Sequence, residues 1–172
     1  LRNPYLNAEE TAALVGLIAS VRPLVMLEFG TNLGITAKAI LDALPELQTY
    51  IGIDVPWPYT PRLTCQRDEV PYTAGRFAAA DPRFKLLLRE STTLMAAELE
   101  PVDAVFIDGD HSALGVLHDS ELARDLLQPG GIIVWHDFGN PAVEVTPVIK
   151  QLVAEGWRIS AVPNTWLAYL RG

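Results

Sequence analysis

The sequence predicts a doubly wound α/β fold, with a mostly parallel seven-stranded sheet and a C-terminal antiparallel hairpin. Three observations predict it. Short apolar runs alternate with amphipathic stretches, the pattern of parallel strands joined by right-handed crossovers. The runs Leu24–Phe29, Val102–Ile107 and Ile132–Trp135 are almost wholly apolar, as in strands covered on both faces. Trp157–Val162 and Thr165–Arg171 flank a Pro163-Asn164 turn, which reads as a hairpin at one sheet edge.

The elements follow in order. Asn7 with Glu10 three residues on marks a capped helix start, and that helix runs to about Ser20. Leu24–Phe29 is the first strand, Gly34–Leu44 a helix striped by Ile35, Ala39, Ile40 and Leu44, and Thr49–Asp54 the second strand. Val55–Tyr72 holds Pro56, Pro58, Pro61 and Pro71 and reads as a long functional loop, expected to be mobile and to shape the acceptor site with Tyr5, Trp57 and Tyr59. A helix is expected over Thr73–Ala80, a strand over Phe84–Leu88, a helix over Thr92–Glu100 and a strand over Val102–Asp108. A helix over Leu114–Leu127, a strand over Gly131–Asp137 and a helix over Val143–Glu155, closed by Gly156, complete the alternation.

At 172 residues the chain fits one domain, 1–172, able to bury a core without staples. Its 49% hydrophobic and 20% charged residues exclude disorder for most of its length. One cysteine, Cys65, excludes an intrachain disulfide and an all-cysteine zinc site. A net charge of −8 argues against nucleic acid as a partner. The apolar stretch Ala12–Val21 is too short for a bilayer, so no membrane partner is expected. No basic leader with a cleavage site is evident, which points to the cytoplasm, although a start at Leu1 instead of Met leaves targeting open.

Parallel sheets bind ligands at the carboxyl ends of their strands. Glu28, Asp54, Glu90, Asp108 and Asp137 fall there, and all are acidic. The first turn, Glu28-Phe29-Gly30-Thr31-Asn32-Leu33-Gly34, lacks the middle glycine of a dinucleotide fingerprint and places an acid before the first glycine. Such a turn suits a ligand with a cationic end and no phosphates, as S-adenosylmethionine is. Asp54 lies 26 residues after Glu28, where a carboxylate accepts ribose hydroxyls.

The segments E-F-G-T-N-L-G, Y-I-G-I-D, V-D-A-V-F-I-D-G-D-H and L-L-Q-P-G-G-I-I-V-W-H-D resemble the successive motifs of class I S-adenosylmethionine-dependent methyltransferases. The closest match is a small bacterial branch with I-D-G-D-H and H-D strand ends. The resemblance covers about Leu24–Phe138 and implies a Rossmann-like sheet. It further implies that Glu28, Gly30, Thr31, Asn32 and Gly34 cradle the methionine end, Asp54 the ribose, Glu90 and Ser91 the adenine, and Asp108 the sulfonium side.

Asp108, Asp110, His111, His136 and Asp137 form the expected catalytic cluster, with a histidine as base. In metal-dependent catechol-type relatives, acids at the Asp108 and Asp137 positions hold magnesium with a neighbouring Asn. Here Phe138 stands at the Asn position, and Asp110 or His136 is the expected substitute; an imidazole would tilt the choice from magnesium towards manganese, iron or zinc. The expected reaction is O-methylation of a small-molecule acceptor, with a homodimer as an open assembly. Two other readings stay open: a non-catalytic cofactor-binding module, and, less favoured, an NAD-dependent oxidoreductase.

Overall fold

The computed structural model describes residues 5–172, and the start at Leu1 lies outside them. Four helices, α1 (Ala8–Ala19), α2 (Ile35–Ala43), α3 (Ala113–Leu126) and α4 (Val145–Ala154), pack on one sheet. Its strands are β1 (Val25–Phe29), β2 (Thr49–Asp54), β3 (Phe84–Leu88), β4 (Val102–Ile107), β5 (Leu127–Trp135), β6 (Ser160–Ala161) and β7 (Ala168–Arg171). Their spatial order is β3-β2-β1-β4-β5-β7-β6. The first five are parallel, and β7 runs antiparallel to both β5 and β6. This is the expected seven-stranded Rossmann-like sheet with its reversed terminal hairpin.

Strand periodicity assigns the two cores. Leu27, Ile51, Val105 and Ile133 pack with Val116, Leu126, Val148 and Leu152 of α3 and α4. Met26, Tyr50, Ala104 and Ile132 pack with Leu14, Ile18, Ala37 and Ile40 of α1 and α2. The start of α1 is the full capping box: the Asn7 carboxamide accepts from the Glu10 amide at 2.9 Å, and the Glu10 carboxylate accepts from the Asn7 amide at 3.3 Å.

Two expected helices do not form. Residues 73–80 make successive turns, because Gly75 takes φ +70 and the Phe84 ring fills the space a side chain there would need. Over residues 92–100 only two single 3-10 turns appear, Ser91–Thr93 and Ala96–Glu98, separated by Leu94 and Met95 in extended backbone. As a result β3 is poorly covered: Leu86 and Leu88 are 36% and 50% exposed. The hairpin is also shorter than expected, since Trp157 and Ile159 pack into the α3–α4 core and only Ser160–Ala161 pairs.

Strand order reverses at β1, with β2 on one side and β4 on the other, which opens a ligand crevice at the strand ends. Gly30 makes that crevice possible. It sits at φ +82, and a Cβ there would run into the Asp108 carbonyl at the end of β4. Gly30→Ala should therefore lower the unfolding free energy by ~2 kcal/mol or more, since backbone cannot retreat as a flexible side chain does. Urea titration measures this, and an unchanged midpoint would contradict the close approach.

Candidate active site

Two larger cavities open at the crevice and share a wall, with a smaller one beside them that Thr31 lines. The first, with about 690 Å³ of empty space, lies over the ends of β1, β2 and β3. The second, with about 800 Å³, lies over the ends of β4 and β5 and is edged by Tyr5 and Trp166. Gly30, Asn32, Gln66, Glu69 and Asp108 line both.

The first cavity gathers Gly30, Asn32, Asp54, Glu90, Ser91 and Asp108 of the expected cofactor residues. Asp54 accepts from the Asn32 amide at 2.5 Å and the Val55 amide at 2.7 Å, so the β1 turn and the β2 end are tied through one carboxylate. Burial pushes its pKa up against those two amides. Glu90 is gripped by Arg62, which also reaches Asp110 at 2.5 Å. Ile53 belongs to the core and also forms part of the cavity wall. Gly34 takes φ +79 as the N-cap of α2 and lies packed against Gly75.

Glu28 and Thr31 lie deeper. Glu28 is 1% exposed and pairs with Gly52 and Phe106 within the sheet, on the face of α1 and α2. Its carboxyl lies among the Thr31 and Tyr50 hydroxyls, but Oε2, the Thr31 Oγ1 and the Tyr50 hydroxyl make no hydrogen bond of good geometry among the described residues. Burial, reinforced by Asp108 and Asp54, pushes the Glu28 carboxyl up to about 8.

The second cavity holds the charged cluster. His136 Nδ1 stands 3.1 Å from Asp108 Oδ1 and 3.5 Å from Asp137 Oδ2. His111 spans the same acids, with Nε2 3.3 Å from Asp108 and Nδ1 3.4 Å from Asp137. Burial opposes every charge here, but the two imidazoles outweigh it and hold Asp108 down to about 2. The same pairing lowers Asp137, raises His111, and pushes His136 up to about 11. Asp137 holds a left-handed backbone (φ +61), a strained conformation that turns it back to the cluster, and Asn140 donates to it at 2.7 Å.

Asp110 is not part of this group. It faces Arg62 and accepts from the Ser112 amide at 3.0 Å, at the start of α3 and on the first cavity. Phe138 packs against the α3–α4 core. Trp57 leans on Tyr72 and lines neither cavity, whereas Tyr59 lines the first.

Sequence reasoning missed three carboxylates. Glu10 accepts from the Trp166 amide at 2.9 Å and lies 3.9 Å from His136 Nε2. Asp119, fully buried on α3, borders the first cavity. Glu69 faces His111 from the 55–72 loop and lines both cavities. Only the helix-cap pattern at Glu10 carried any signal, and it named a different role.

That loop is irregular, with one 3-10 turn at Thr64–Gln66, and it is tied down at several points. Gln66 donates to the Gly109 carbonyl at 2.8 Å and accepts from the His111 amide at 3.0 Å. Asn32 donates to the Glu69 carbonyl at 2.7 Å.

A model of the methyltransferase domain family matches residues 27–138, and the chain belongs to this family of class I S-adenosylmethionine-dependent enzymes. No curated protein matches it in sequence. Among solved structures, a putative caffeoyl-CoA O-methyltransferase from Staphylococcus aureus is similar at TM-score 0.73 and 12% identity, over 98% of this chain and 86% of that one. An O-methyltransferase from Bacillus cereus in complex with SAH gives 0.71 and 16%, over 99% and 84%. A precorrin-6y C5,15-methyltransferase from Geobacter metallireducens gives 0.68 and 13%, over 98% and 89%. At such identities the likeness is one of fold.

The Glu28 pKa carries a stability consequence. The folded protein holds that proton up to about pH 8, whereas the unfolded chain releases it near 4.5. The folded state thus binds more protons across this window, and stability falls as pH rises through it. The stability of Glu28→Gln relative to the native protein should increase steadily from pH 5 to pH 8 in urea unfolding. A pH-independent difference would contradict a buried, protonated Glu28.

Proposed function

We propose that this chain, acting as one catalytic domain, transfers the methyl group of S-adenosylmethionine to an oxygen of a small-molecule acceptor. The observation that carries this reading is the meeting of the two cavities at Gly30 and Asp108, with the carboxylate–imidazole cluster on one side only. The donor set of the first cavity fits the cofactor. Asp54 keeps free lone pairs for ribose hydroxyls, and Glu69 places a carboxylate at the shared wall that suits a positive centre. Bound there, S-adenosylmethionine supplies a methyl group made electrophilic by its sulfonium.

The chain's own residues then align an acceptor hydroxyl in the second cavity and take its proton. His136, held as an imidazolium between Asp108 and Asp137, cannot act as a base near neutral pH; it fixes the two acids. His111 lines the acceptor cavity between the same acids and is the candidate base. Its pKa lies above the ordinary 6.5, so the rate should rise with pH through that raised value.

A second reading has its own observation. Asp108, His111 and Asp137 each offer one ligand atom, all within 4.8 Å of one another. A divalent ion held there, with manganese favoured over magnesium by the imidazole, would acidify the acceptor hydroxyl in place of a base. Asn140, beside Asp137, stands closer to the expected Asn role than Phe138 does.

Calorimetry and a turnover assay with labelled cofactor against phenols, sugars and hydroxy acids test the proposal. S-adenosylmethionine should bind, and Asp54→Ala should weaken it about tenfold or more. His111→Gln should lower turnover by about a hundredfold while the cofactor still binds. Chelator should leave the rate unchanged. Loss of activity on chelation, restored by manganese, would select the metal reading; binding with no turnover on any acceptor would leave a non-catalytic module.

A further inference from the structure

We propose that Glu69, from the 55–72 loop, is the carboxylate that binds the amino-acid ammonium of the cofactor, in place of the strand residue Glu28. The inference rests on the methyl-transfer reading above and deepens it.

The first argument is access. A residue that pairs with a ligand cation must reach the cavity. Glu28 lines neither cavity, and its side chain points to the α1–α2 face of the sheet, enclosed by Tyr50, Thr31 and its strand neighbours. At neutral pH it is protonated, and a neutral carboxyl gives a cation no ion pair. Glu69 is half-buried and lines both cavities at their shared wall.

The second argument is position. With the ribose at Asp54 and the transferred methyl directed towards the second cavity, the amino-acid end lies along Gly30, Asn32 and Asp108. Glu69 stands on that path. Asn32, from the glycine turn itself, donates to the Glu69 carbonyl, which fixes the loop directly over the turn. The third argument is charge. Asp108 and Asp137 each face both imidazoles, whereas Glu69 faces His111 alone and is otherwise bonded only by the neutral Gln66, so it is the wall carboxylate with the least counter-charge among the described residues.

The test compares two nucleoside thioethers by calorimetry on the intact chain. S-adenosylhomocysteine carries the ammonium, and 5′-deoxy-5′-methylthioadenosine is its adenosine thioether without the amino acid. Glu69→Gln should weaken the first by about tenfold, the loss of one charge-assisted bond, and change the second less than about twofold. Glu69→Lys should weaken the first further, and circular dichroism checks that both variants fold. Equal loss for both thioethers, or loss for neither, would overturn the assignment, as would Glu28→Gln erasing the preference for S-adenosylhomocysteine. An effect of Glu69→Gln on acceptor KM alone would make Glu69 an acceptor residue and overturn it too. If the unaltered chain bound neither thioether, the methyl-transfer reading itself would fail.

Discussion

The contact between Gly30 and the backbone of Asp108 and Gly109 governs the geometry of everything above it. Here a residue without a side chain lets the β1 turn rest on the end of β4, and the Asp108 amide still donates to the Phe29 carbonyl at 2.9 Å. That contact holds Asp108 at the wall between the cavities. Asp54 completes the frame by accepting the Asn32 amide, which ties the same turn to β2.

Placing two acids, Asp137 buried and Asp108 half-buried, beside each other would be costly without counter-charge. The fold meets that cost with histidines from two different segments. His111 arrives with the β4–α3 turn and His136 with the end of β5, so neither strand end can be repacked without exposing an unmatched charge. Glu10 extends the arrangement to α1: the same carboxylate that closes the helix cap receives the Trp166 amide and approaches His136. The start of the first helix is thus linked to the wall of the second cavity.

Much of this was legible in the sequence because it depends on local rules. Apolar runs marked the strands, and the strand-end acids followed from the strand assignments. The failures have equally local causes. In 73–80 the helical spacing was real, but Gly75 packs against Phe84, a contact that no local pattern reveals. In 92–100 Leu94 turns into the core and breaks the helical path. Glu69 and Asp119 were invisible for a different reason. The cavity walls that face them come from segments tens of residues away, and nothing in a proline-rich loop or a helix pattern distinguishes a carboxylate over a cavity from one in water. Asp110 shows the converse: adjacency to His111 suggested a shared role, yet its side chain turns towards Arg62.

The order of strands has a consequence for how the molecule is made. β5 pairs with β7, and β6 lies outside β7 although it precedes it in the chain. During synthesis the first five strands can assemble in sequence, but the open edge of β5, with Trp135 and Val134, must wait for residues 168–171 to emerge. At ~5–20 residues per second that interval lasts a few seconds. Over that time an apolar strand edge is unprotected in the nascent chain, which makes it the natural point for a chaperone to engage or for two unfinished chains to stick together.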